Sequence, residues 1–174
     1  MNAWSAPFKV AQPLSNALAS LVDKHGRIRC RTLVPGAIPE SVREAIRDLG
    51  IDQHSLGRPL DMQWGEPGLT LGERLFGWNT LESLAFTAGN PSKPVNAIPP
   101  SAIAHCQLLF VVGTDWQHLE SLLHQHLDSE GFEQVNIVID RCTPASRLDP
   151  DNPWVRFAKQ SIADATHQIG RAHV

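Results

Sequence analysis

The sequence predicts an α+β fold, an antiparallel sheet carrying helices on one face. Helical periodicity recurs in several stretches, two-residue alternation marks others, and the second half runs strand, strand, helix, strand. The 174 residues suffice for about one domain, and with 42% apolar and 19% charged side chains a packed core of ordinary size is expected.

Pro13 is suited to the first turn of a helix, and Leu14, Leu18, Leu21 and Val22 then share one face until Gly26. Pro39 can open a second helix striped by Val42, Ala45, Ile46 and Leu49, which Gly50 stops. Gly57, Pro59, Gly65, Pro67 and Gly68 make 51–68 a long arm. Thr70 and Glu73 have the spacing of a capping box for a short helix over Leu71 to Phe76.

Aromatic and branched residues from Trp78 to Phe86 predict a strand, ended by Ala88-Gly-Asn-Pro-Ser. From Ser101, Ala102, Ala104, Cys106, Leu108, Phe110 and Val112 form the core face of a second strand; Ile103, His105, Gln107, Leu109 and Val111 form the other. Cys106 is accordingly expected as a small buried hydrophobe. Asp115 can cap a helix bearing Trp116, Leu119, Leu122, Leu123 and Leu127, closed by Gly131, and Val135, Ile137 and Ile139 alternate in a last strand. Asn152 and Pro153 are cap and first position of a C-terminal helix with Trp154, Phe157, Ala158, Ile162 and Ala165 on one side.

A formal charge of −3 gives no electrostatic reason to expect nucleic acid or an anionic membrane as partner. The longest apolar run, Cys106 to Val112 broken by Gln107, falls far short of the roughly twenty residues of a bilayer span. Three widely spaced cysteines make no disulfide framework, and a reducing cytoplasm is the expected compartment. On the fourth helix, His124 and Asp128 stand four apart and His118 and His126 two turns apart, a spacing that can serve a metal or simply a solvated face. No nucleophile elbow, metal-binding Cys pair or phosphate cradle is present.

The blocks Phe76-Gly-Trp-Asn-Thr-Leu-Glu-Ser-Leu-Ala-Phe, Gly89-Asn-Pro, Val95-Asn-Ala-Ile-Pro-Pro and His105-Cys-Gln-Leu-Leu-Phe-Val-Val-Gly-Thr-Asp115 together resemble the dimerisation, or lid, domain of the di-zinc peptidase M-20 family. The resemblance reaches back through Leu14 to Ile28 and forward through Arg147-Leu-Asp-Pro-Asp-Asn-Pro-Trp-Val-Arg-Phe. It implies a ferredoxin-like sheet whose first strand is mostly missing here, a lid at 1–140 with an inserted helix and arm at 31–70, and a linker with the first helix of a returning catalytic segment at 141–168. The final residues Ile169-Gly-Arg-Ala-His-Val read as a translated sequencing adapter, a non-native tail at 169–174.

In the resembled family two zinc ions are held by a catalytic domain whose motifs are not in this chain. The resemblance therefore implies a fragment that binds no zinc and is not itself a catalyst. It comes from an intact hydrolase that cleaves small peptides or N-acyl amino acid amides and pairs as a homodimer through the lid. Asn96 matches the lid asparagine that reaches toward substrate, where its amide can donate to a carboxylate or oxyanion; a turn residue before Ile98-Pro-Pro is the other reading. Two departures stand out: Leu109 occupies the usual arginine position, and the family's lid histidine would fall at or before Met1. The rival to the whole reading is a free-standing ferredoxin-like binding or assembly module.

Overall fold

The computed structural model describes residues 10–51, 57, 61 and 63–166. The expectations for the first strand, much of the arm and the adapter-like tail lie outside these residues. The architecture is α+β: the described residues form five α-helices and a two-stranded antiparallel sheet, consistent with part of a ferredoxin-like fold.

Helix α1 (Ala11–Leu21) buries Ala17, Ser20 and Leu21. It stops at Leu21 rather than running to Gly26, because Val22 pairs with Ile28 across a tight turn. Gly26 sits in that turn at φ +72°, and a Cβ there would come within 2.3 Å of the Trp64 ring, so both backbone conformation and space demand glycine. Asp23 ties the turn by accepting from the His25 and Arg27 amides at 2.8 and 3.0 Å. The Arg27 N–H chiefly holds its carboxyl below the usual aspartate value.

From Leu33 the chain makes an excursion that returns at Asn79. Helix α2 (Glu40–Asp48) starts after Pro39 as expected and buries Val42 and Ile46. Helix α3 (Leu71–Phe76) has the full capping box between Thr70 and Glu73. Ile38, Val42 and Ile46, with Leu69 and Trp78 against them, form a small core separate from the main one. Glu73, nearly buried, also pairs with Arg43 of α2. Its carboxyl is held below the ordinary glutamate value, first by the Thr70 N–H and then by the Thr70 hydroxyl and the Arg43 guanidinium, which outweigh desolvation.

Strand β1 (Thr80–Ala88) pairs antiparallel with β2 (Ala102–Leu109), in a register that sets Thr80 opposite Leu109 and Ala88 opposite Ala102. A bulge between Ser83 and Ala85 leaves Leu84 unpaired and 65% exposed. Helix α4 (Leu119–Ser129) lays Leu119 and Leu127 on the main core, together with Ala17, Leu21, Ile28, Cys30, Leu33 and Leu81. Helix α5 (Pro153–Thr166) begins where expected, with the Asn152 side-chain oxygen accepting from the Trp154 amide at 2.9 Å. Its Trp154 and Phe157 meet edge to face and are both exposed. Among the described residues no helix is long and apolar enough to cross a membrane.

Three expectations are corrected. Residues 135–139 keep the burial alternation of a strand, with Val135, Ile137 and Ile139 packed on the main core, but form no strand. The backbone beside which they would pair is absent from the described sheet. Cys106 lies on the inward side of β2 but is exposed, because that stretch of β2 faces an open trough rather than packed side chains. Asp115 does not cap α4: a turn through Thr114 and Trp116 delays the helix to Leu119, and the Asp115 carboxylate takes the His118 ring nitrogen at 2.9 Å.

Candidate functional site: the hairpin loop and outer sheet face

Asn96, the residue singled out for substrate contact, lies in a bend of the 89–101 connection between β1 and β2 and is exposed. The connection is shaped locally. Gly89 adopts φ +71° with Pro99 packed over it, at 3.2 Å from where a Cβ would stand, which closes the loop's base. Asn90 then folds the far end, its side chain accepting from the Ser92 amide at 3.0 Å and its carbonyl from Lys93 at 3.2 Å. Asn96 therefore sits on a loop anchored at both strand ends, with its amide free to meet a ligand.

Along β2, His105, Gln107 and Leu109 share the outer face and are all exposed, opposite Ala85, Glu82 and Thr80 of β1. An imidazole, an amide and a carboxylate on one open face can bind and orient a polar ligand. Leu109 offers no cation on this face for an anionic ligand. This face and the Asn96 loop belong to the same hairpin.

Two of the three histidines singled out at 118–126 are engaged with other groups. His118 is paired with Asp115, and the His126 Nε2 lies 3.1 Å from both the Ser20 hydroxyl and its carbonyl. Among the described residues no three His, Cys, Asp or Glu side chains are grouped to hold a metal ion.

Sequence reasoning missed Asn79, which positions this hairpin from beneath. It is 1% exposed, and its amide donates to the Leu33 carbonyl at 2.7 Å and to the Thr114 hydroxyl at 3.0 Å, while its oxygen accepts from the Val111 amide at 2.8 Å. A polar residue entering a predicted strand was the one available signal; its partners lie 32 to 46 positions away.

No protein-family model matches the sequence, and no curated protein matches it significantly. Among solved structures, the M20 family metallo-carboxypeptidase Sso-CP2 from Sulfolobus solfataricus superposes with a TM-score of 0.73 over 94% of this chain, at 21% identity. The two share a fold. This chain spans only 38% of that enzyme's chain, so it corresponds to a part of it.

Proposed function

We propose that the chain is the dimerisation, or lid, part of a longer zinc-dependent metallopeptidase or amidohydrolase acting on small peptides or N-acyl amino acids. The observation that carries this reading is the superposition of nearly the whole chain on 38% of a metallo-carboxypeptidase. The lid-like sequence blocks at 76–86, 95–100 and 105–115 support it independently. Zinc belongs to the proposal as a property of the longer protein, and the contribution of this part is to present the hairpin loop to substrate. Asn96 would donate its amide to a substrate carboxylate or to the oxygen that gains charge during amide cleavage.

The longer protein, expressed with zinc and offered dipeptides and N-acyl amino acids, is expected to hydrolyse at least one class; inertness toward the whole panel overturns the reading. In it, Asn96→Ala should lower kcat by about one to three powers of ten, the scale of losing one oxyanion donor, with Tm unchanged. An equal loss of stability and activity would assign Asn96 to the turn instead.

We further propose a homodimer of the longer protein, formed through this part, with a sheet edge and the adjoining 115–131 segment at the contact. Sedimentation at micromolar concentration should show twice the monomer mass, and a monomer counts against the pairing.

A further inference from the structure

We propose that the cleft between residues 29–32 and the 122–130 face of α4 binds an inorganic phosphate ion and selects it over sulfate. The proposal stands apart from the hydrolase reading, since none of the residues that carry it belongs to the β1–β2 hairpin.

One wall of the cleft is cationic because burial alternates along the chain there. Ile28 and Cys30 are buried, so Arg29 and Arg31, on either side of Cys30, are both turned outward and line the cleft. Arg29 is steadied by one bond, its Nη1 donating to the Ala19 carbonyl at 3.3 Å. Among the described residues neither guanidinium lies within 4 Å of a carboxylate. Two arginines without a counter-charge attract an anion even in a chain of formal charge −3, and the guanidinium fork matches phosphate oxygens in pairs.

The helix wall adds groups of both kinds. Leu122, Gln125, His126 and Ser129 fall at i, i+3, i+4 and i+7 and share one face. The Gln125 amide can donate. Ser129 gives its own hydrogen to the His126 carbonyl at 2.7 Å, which leaves its oxygen as an acceptor, and Glu130 brings a carboxylate to the same cleft. His126 is fixed through Nε2, 3.1 Å from the Ser20 carbonyl. A carbonyl only accepts, so Nε2 carries the hydrogen and Nδ1 holds the lone pair of the neutral ring, with no partner among the described residues.

This mixture decides the ligand. Arginines alone would take any anion. At pH 7 phosphate keeps at least one O–H that must donate, whereas sulfate has none; Glu130 accepts from the first and repels the second. Tetrahedral oxygens also reach both walls at once, which a planar carboxylate does not. The cleft, about 380 Å³, has room for the ion and part of its hydration.

Calorimetric titration of the 174-residue chain at pH 7 with sodium phosphate, and with sodium sulfate at matched ionic strength, reads the site, and hydrogen exchange locates it. Phosphate is expected to bind with a Kd about 10-fold below that of sulfate and to slow exchange at 29–32 and 122–130. Arg31→Gln should raise the phosphate Kd about 10-fold, the scale of a charge-assisted hydrogen bond. Glu130→Gln should tighten sulfate and bring the two Kd values within about threefold, a gain that a misfolded variant would not produce. No saturation by about 10 mM phosphate, equal Kd values for the two ions in the unaltered chain, or no response to Arg31→Gln each overturns the proposal. Cys30, fully buried, checks the fold. If N-ethylmaleimide labels it rapidly, the chain is unfolded; the titrations then pass to the longer protein stripped of metal by a chelator, and the same three results overturn the proposal there. The cleft lies on the 115–131 segment proposed at the dimer contact, so sedimentation follows the mass throughout, and a dimer that takes up no phosphate also overturns the site. No readout uses catalysis, so an inert longer protein that binds phosphate would remove the hydrolase reading and leave the cleft standing.

Discussion

The main core and the small core of the excursion are closed in opposite ways. Among the described residues, the main core gathers eight buried ones from α1, the 28–33 segment, β1 and α4, yet opens along one side into the trough. The small core has three buried residues but is sealed by its own polar bonds, the capping box and the Arg43–Glu73 pair. Size of core and completeness of closure are separate properties: the smaller region closes with contacts local to the excursion, while the larger one stays open along the trough.

The contrast can be sharpened inside the main core first. Leu33 is 1% exposed, and Leu33→Ala should cost about 3–4 kcal/mol, the usual range for a cavity in a packed interior. Leu18, which lines the trough, should lose only about 1 kcal/mol as alanine, because its surroundings are already open. Urea midpoints that fall equally for the two would mean the trough is filled in solution.

A smaller effect is expected from Glu73→Gln, about 2 kcal/mol, since the charged bonds to the Thr70 amide and Arg43 are weakened. The folded carboxyl titrates below its ordinary value of 4.5. Its contribution is therefore complete above that value and is lost as pH falls through it toward the folded one. Stability measured from pH 7 to pH 3 should drop less steeply in the variant, and parallel curves would remove Glu73 from the closure of the small core. Thr70→Ala removes one cap acceptor and should cost about 1 kcal/mol. Hydrogen exchange should then quicken in α3 and leave α4 unchanged.

Several local features were legible in the sequence, though the Asp115 cap was not among them. Pro39 and Gly50 bracket α2, Thr70 and Glu73 cap α3, and Asn152 caps α5, because each signal acts within a few residues. The two-residue alternation read from Ser101 to Val112 also placed β2 and its outward His105 and Gln107, although the strand ends at Leu109. The same pattern at 135–139 gave the right inward residues without a strand, since alternation reports burial and a ladder needs a neighbour. Cys106 failed for the same reason: its face was right and the material opposite it was not there. Asn96 was placed by resemblance, and the structure adds only its exposure and the anchored loop that carries it.

Asn79 has a consequence for the history of the chain. Its bond to Leu33 brings together positions 46 residues apart, so everything from α2 through α3 leaves and re-enters the main layer at one neck. Closing a loop of that length costs about 3 kcal/mol of chain entropy, a cost that grows only logarithmically with length. The excursion can therefore lengthen or shorten at little entropic cost, provided that Asn79 at its neck and the seat of Trp64 and Gly65 on the 23–27 turn are kept. Such a segment is raw material for change, attached to a layer that need not move.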